Sequence, residues 1–227
     1  DEEEEELQEV VYSLSDSKRL NLEYYKNNIL HFFVPICFVA TSMVKHADDM
    51  ISLTKIMSDY KFLKWLLWNE FIFDERRDDV DEVQDVLDYL HKKMLIVTAE
   101  RDGEVWIETK SRGHARLKPF AGLIHNYLES CWIVMRSMVY LKKKPLTQKE
   151  WLAKIRPLGD RIFRKGEILR AESLSNANYV NAIKFLEDAE LVVSQTEGKS
   201  GKEERVYRLT DNRAQMEVLR RRLFKFL

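Results

Sequence analysis

Glycine and proline are scarce in this sequence, at seven and four of 227 residues. Glycine-rich phosphate cradles and strained nucleophile turns have no counterpart here: no GxGxxG, P-loop or GxSxG run is present. Cysteine is scarcer still. Cys37 and Cys131 sit far apart in apolar stretches, so they suggest neither a metal site nor a disulfide framework, and a reducing, cytosol-facing compartment is expected. None of the five histidines (His31, His46, His91, His114, His125) stands four or five positions from another, so no pair has zinc-ligand spacing on a helix. No metal and no cofactor is expected. Serine and cysteine nucleophiles lack an identifiable base. Net charge is also missing: at −1 the global balance gives no case for nucleic acid or an anionic membrane. The longest apolar run, Ile29 to Val44, covers 16 residues. As a helix it would span about 24 Å, short of the roughly 30 Å hydrocarbon core, so a buried helix bent near Pro35 is expected instead.

What is present is a folding composition: 45% hydrophobic and 33% charged residues, enough chain for one large domain or two modules of roughly 100 residues each. The amino end, Asp1 to Glu6, is a block of like charge without an initiator Met and without signal-peptide features. It reads as an acidic linker over residues 1–19 at the ragged start of a fragment. Leu20 to His46 reads as a helix apolar nearly all round. Asp59 to Phe73 reads as a second, aromatic helix turning Phe62, Trp65, Leu66 and Trp68 towards a core or partner.

From Asp81 the pattern changes. Val83, Val86, Leu87 and Leu90 keep helical spacing; a short apolar run rich in β-branched residues, Met94 to Val97, an Arg101-Asp102-Gly103 turn and Val105 to Ile107 then predict a hairpin. The unit recurs 96 residues later, with Tyr179, Ala182, Ile183 and Leu186 in the same phase and Leu191 to Val193 in place of the strand. Between the two lie a long helix over Lys118 to Leu141 and, at Thr147 and Glu150, a capping box opening the next helix. Arg213 to Leu227 reads as a basic amphipathic helix. The fold class expected is mainly α-helical with two small antiparallel hairpins in winged-helix-like units, divided as residues 20–110 and 111–227.

Winged-helix units raise duplex binding as an alternative function, for a stand-alone adaptor or DNA-binding protein. Charge argues against it: Asp81 to Lys93 and Ser175 to Glu190 are each net −2, where a helix entering a groove needs cations against phosphate. The cationic tail, with Arg220, Arg221 and Arg222, suits anionic lipid or an acidic face of the same protein equally well.

One segment carries a family resemblance. Leu22 to Phe33 (LEYYKNNILHFF) closely resembles the YY(K/R)NN-x-LH signature that opens the C-terminal region of membrane-bound glycerol-3-phosphate 1-O-acyltransferases, bacterial and, more loosely, mitochondrial. The order that follows is also similar, ending in an N-x-(I/V)-x-x-L unit at Asn181 to Val192. The resemblance implies acyl transfer from acyl-CoA or acyl-carrier protein to the 1-hydroxyl of glycerol 3-phosphate. It also implies a catalytic domain earlier on the same polypeptide and a peripheral place on the cytoplasmic face of the inner membrane, or on the mitochondrial outer membrane. In that family a His-x-x-x-x-Asp motif supplies the general base. Here the fifth residue after each histidine is Ile36, Ile51, Ile96, Pro119 or Ser130, so no catalytic residue carries over. Tyr24, Tyr25, Asn27, Asn28 and His31 are expected either to pack inside an interdomain interface or to face the catalytic cleft. Trp65 and Trp68 are expected in a core or at a membrane interface, and Arg220, Arg221 and Arg222 at a membrane or partner.

Overall fold

The structure, a computed structural model, describes residues 29–46, 50–199 and 202–227, with seven helices among them. The first, α1 (Val34–Val44), has Pro35 in its opening turn, where a missing backbone N–H leaves no intrahelical bond unmade. The bend expected there is a 3-10 turn, His31–Phe33, directly ahead of the helix. Nearly every side chain of α1 is buried, including Val34, Cys37, Phe38, Val39 and Met43. No helix among the described residues is long and apolar enough to cross a membrane.

A two-residue strand, β1 (Ile51–Ser52), leads into α2 (Leu53–Leu66), whose first turn is capped by Ser52 Oγ accepting from the Lys55 N–H at 3.2 Å. This corrects the expected span of Asp59 to Phe73. The cap starts the helix six residues earlier, and the aromatic run after Leu66 leaves helical backbone altogether. It stays apolar because Phe71 and Phe73 fold back onto the core from turns. The next helix, α3 (Asp79–Lys92), places acids in its first turn and His91 and Lys92 in its last, matching its dipole. Met94, in the left-handed region at φ 56°, then reverses the chain, with the Leu95 N–H donating back to the Leu90 carbonyl at 3.0 Å. The hairpin β2 (Ile96–Arg101) and β3 (Glu104–Thr109) follows. Asp102 and Gly103 both have positive φ, as a type I′ turn requires. β1 pairs antiparallel with β3, so the sheet order is β1-β3-β2.

The same plan is then repeated: a long helix α4 (Ser111–Ser137), a two-residue strand β4 (Leu146–Thr147), helices α5 (Gln148–Arg164) and α6 (Asn176–Asp188), and a hairpin β5 (Val192–Lys199) and β6 (Lys202–Leu209) in the order β4-β6-β5. The 96-residue offset extends to backbone detail. Glu190 has φ 54° where Met94 has φ 56°, and the Leu191 N–H donates to the Leu186 carbonyl as Leu95 does to Leu90. Helix, short strand, two helices and a hairpin in this pairing is winged-helix topology, twice. α4 begins seven residues before the expected Lys118 and runs straight through Pro119. It gives way at Ser137 to a 3-10 turn over Met138–Tyr140, so Lys142 to Lys144 lie beyond its end.

α7 (Arg213–Phe224) closes the chain, burying Leu219 and Leu223. The two repeats share one continuous apolar cluster, with α4 central and α1, α5, α6 and α7 packed around it. Gly113 lets the first turn of α4 lie against the base of the first hairpin: a Cβ there would stand 2.1 Å from the Leu95 carbonyl oxygen, so no side chain fits without moving the backbone.

Candidate functional site

Polar side chains that tie packed elements together mark where the fold has been made specific, and three groups of them stand out: one across the junction of the repeats, one inside the second repeat and one between the tail and the first repeat. At the first, the turn after α2 brings Glu70 against α6. The Asn181 amide donates to Glu70 Oε2 at 3.1 Å, and the Asn69 amide donates to Asp188 at 3.0 Å. Burial pushes the Glu70 carboxyl up to about 7, only partly offset by Asn181 and Lys184. Around this pair the Trp65 ring meets Phe185 edge-on at 4.8 Å and Phe71 meets Tyr127 at 5.1 Å.

The second group centres on Glu129, 1% exposed in the middle of α4. Its carboxylate accepts from the backbone N–H groups of Leu169 (2.7 Å) and Arg170 (3.2 Å) and from the Ser173 hydroxyl. His125, one turn earlier, places Nε2 3.5 Å from it. Burial, with Arg170 and Lys45 nearby, holds the His125 imidazole below its usual range despite that carboxylate. Next to it the Asn178 amide donates to Ser130 Oγ at 3.2 Å, and the single Ser130 hydroxyl proton is shared between the carbonyls of Asn126 and Ser173, both 2.8 Å away. With three donors on its carboxylate, this group fastens the 168–174 connection to α4.

The third group joins the tail to the first repeat. Arg222 donates to the Ser58 carbonyl at 2.6 Å and to Ser58 Oγ at 2.9 Å, while its guanidinium lies 4.3 Å over the Phe62 ring. Phe62 stacks on Phe226 at 5.9 Å and also touches Trp65 at 6.5 Å.

Of the residues the sequence singled out, the structure therefore brings Trp65 and Arg222 together through Phe62. Both tryptophans keep an exposed edge, Trp65 at 37% and Trp68 at 45%, with Trp68 stacked on Phe73 at 5.1 Å. Arg220 and Arg221 both pair with Glu217 on their own helix, at 3.2 and 2.9 Å. His31 is half-buried, its ring 3.9 Å from that of Phe32. Tyr24, Tyr25, Asn27 and Asn28 lie outside the described residues. Sequence reasoning missed Glu129, whose isolated acid within an apolar stripe was the available signal. It also missed Glu70, which sat unremarked in the aromatic run.

The chain matches the glycerol-3-phosphate acyltransferase C-terminal region over residues 1–195. It belongs to that family. The match ends inside β5, so β6 and α7 lie beyond it. In this acyltransferase C-terminal region Asn181, quoted from the family-like unit, is the side chain that holds Glu70 across the repeat junction. No cluster of three or more His, Cys, Asp or Glu side chains suited to a metal occurs among the described residues. Cys131 is buried, and burial pushes its thiol above the usual range.

Proposed function

We propose that this chain is the non-catalytic C-terminal region of a glycerol-3-phosphate 1-O-acyltransferase. It would complete and stabilise the acyltransferase domain earlier on the same polypeptide and help seat it peripherally on the cytoplasmic face of the inner membrane, or on the mitochondrial outer membrane. The parent reaction would join an acyl group from acyl-CoA or acyl-carrier protein to glycerol 3-phosphate, giving 1-acylglycerol 3-phosphate. Residues 20–110 and 111–227 would act as two joined helical units behind the acidic linker 1–19. One observation carries the reading: a chain of this family lacks aspartate five residues after every histidine, so the general base must come from elsewhere.

The direct test is an assay of the chain with acyl-CoA and glycerol 3-phosphate. Turnover is expected to stay at the level of buffer, and steady acyl transfer by this chain alone would overturn the proposal. Alanine at Asn28 and His31 in the full enzyme separates two roles for the signature segment: reduced activity at unchanged yield and melting behaviour means cleft-shaping, and misfolding means packing. Membrane contact through Trp65, Trp68, Arg220 and Arg221 predicts co-flotation with anionic liposomes; retention in the soluble phase would remove that part.

Winged-helix topology favours the second reading, a duplex-binding adaptor, but the electrostatics oppose it. The outward face of α3 carries Asp81, Asp85 and Asp88, and α6 is occupied by Trp65 and Glu70. Salt-dependent binding of a DNA duplex would revive it.

A further inference from the structure

The junction between the repeats has a direction. The turn that follows α2 of the first repeat lies on α6, the third helix of the second. Glu70 accepts there from the Asn181 amide, Asp188 accepts from the Asn69 amide, and Trp65 meets Phe185. Lys184, on the same helix, adds its charge opposite Glu70. A one-way contact of this kind leaves two matching surfaces unused by it: α3, the third helix of the first repeat, and the turn that follows α5 of the second.

Both surfaces can be matched residue by residue. The caps Ser52 and Thr147 set α2 against α5, and the buried Ile56, Tyr60, Leu63 and Leu67 then fall on Trp151, Ile155, Leu158 and Ile162. In that register Trp65, Asn69 and Glu70 correspond to Asp160, Arg164 and Lys165, all three exposed. The turns at Met94 and Glu190 set α3 against α6. The counterparts of Asn181, Lys184 and Phe185 are then Asp85, Asp88 and Tyr89, again all exposed, and that of Asp188 is Lys92.

The charges have changed places. Inside the junction an acid of the turn, Glu70, faces a base of the helix, Lys184. At the unused surfaces the turn carries the base, Lys165, and the helix carries the acids, Asp85 and Asp88. Where Trp65 packs on Phe185, Asp160 would stand beside Tyr89, a carboxylate able to accept from the phenol. One pairing is adverse, Arg164 opposite Lys92. Within the chain Asp85 holds Arg77 and Asp88 accepts from Gln84 at 2.7 Å, exposed contacts that contribute little and can be shared.

We propose that this chain associates head to tail with a second copy of itself, the turn after α5 of one copy lying on α3 of the next, with Lys165 between Asp85 and Asp88. A heterologous contact repeats from copy to copy, closing into a ring or running on as an open chain according to the rotation between copies. The inference rests on the internal junction and the surface charges, and does not depend on the role proposed above.

The test is sedimentation velocity of the 227-residue chain over a concentration series, in about 50 mM and about 500 mM NaCl. The sedimentation coefficient is expected to rise with concentration at low salt and to fall back at high salt, where exposed charges are screened. Lys165→Glu and Asp85→Lys each bring like charges together, so each is expected to weaken association about ten-fold or more. Lys142→Glu, at an exposed lysine in the cleft beside β6, should not. All three are surface positions, and melting at the wild-type temperature checks that each variant is folded. The decisive arm mixes Lys165→Glu with Asp85→Lys in equal amounts. The unaltered Lys165 of one then meets the unaltered Asp85 of the other, the two altered side chains also attract, and association returns. A chain that stays monomeric throughout, an oligomer indifferent to both variants, or a mixture that fails to recover would overturn the proposal. So would a monomeric chain whose α3 binds oligolysine and loses it in Asp85→Lys, which would give that surface to a cationic partner instead.

Discussion

The two repeats share a backbone plan and part company in what they do with their third helix. At the 96-residue offset Asp85 of α3 corresponds to Asn181 of α6, and Tyr89 to Phe185. In the first repeat those positions face water: Asp85 is exposed, paired with Arg77, and Tyr89 is 48% exposed. In the second they are closed over, Asn181 by Glu70 and Phe185 by Trp65, with Phe185 only 2% exposed. The helix that a winged-helix protein commonly offers to a partner is here spent on the other repeat in one copy, and left open with an acidic surface in the other. Topology alone would have assigned both to the same task. The side chains on one helical face, and not the shared backbone plan, decide what each copy of the helix is used for.

Their buried acids sharpen the contrast. Glu82 of the first repeat sits between α2 and α3, accepting from Tyr60 Oη at 2.6 Å and from Lys64 at 3.0 Å, while Lys64 also reaches Asp79 at 2.6 Å. Glu129 of the second holds two backbone N–H groups and a serine hydroxyl. Removing it strands all three donors where water reaches poorly, whereas Lys64 keeps Asp79 after loss of Glu82. Glu129→Ala is therefore expected to lower the unfolding free energy by about 3–5 kcal/mol, the scale for losing one partner of a buried charged network. Glu82→Ala should lose about half as much. Urea denaturation of the two variants decides it, and equal losses would mean that the 168–174 connection is not held by Glu129.

The junction itself supplies a pH signature. Burial raises the folded-state pKa of Glu70 from 4.5 to about 7. A carboxyl raised in this way binds its proton more tightly folded than unfolded, so its contribution is fully present below about pH 4.5 and is lost as pH rises towards 7. Glu70→Gln keeps an amide oxygen for Asn181 and removes the titration. Relative to wild type it should gain about 2 kcal/mol at pH 8, less than the full shift implies because water reaches part of the side chain, and little at pH 4. Melting at the two pH values measures this, and a pH dependence identical in both proteins would show that Glu70 is solvated.

Much of the architecture was legible because local chemistry agreed with the final fold. Helical spacing from Val83 to Leu90, the Asp102-Gly103 turn and their recurrence 96 residues on led to both hairpins and to the winged-helix reading. What escaped were features without a local signature. β1 and β4 are two residues each, too short for any alternation to show, and they exist only because β3 and β6 are there to pair with them. The segment after Leu66 is as apolar as a helix face yet folds as turns, since tertiary contacts of Phe71 and Phe73 outweigh the helical spacing. At the candidate sites, Trp65 and Arg222 could be singled out by residue type. That they meet through Phe62, from positions more than 150 residues apart, is a product of packing.

The smallest difference between the repeats lies at the caps of α2 and α5. Ser52 and Thr147 occupy equivalent positions, each accepting from the N–H three residues on at 3.2 Å. Only the second has an acid there to answer, Glu150 Oε2 accepting from the Thr147 N–H at 2.8 Å; in the first the residue is Lys55, which turns to Asp59 instead. Thr147→Ala should therefore remove the hydroxyl bond and loosen the reciprocal one, for a loss of about 1 kcal/mol, and Ser52→Ala about half of that. Both sites lie at helix starts of comparable exposure beside a two-residue strand, so the difference isolates the return bond from Glu150. Equal losses in the two variants would mean that this bond adds nothing to the cap.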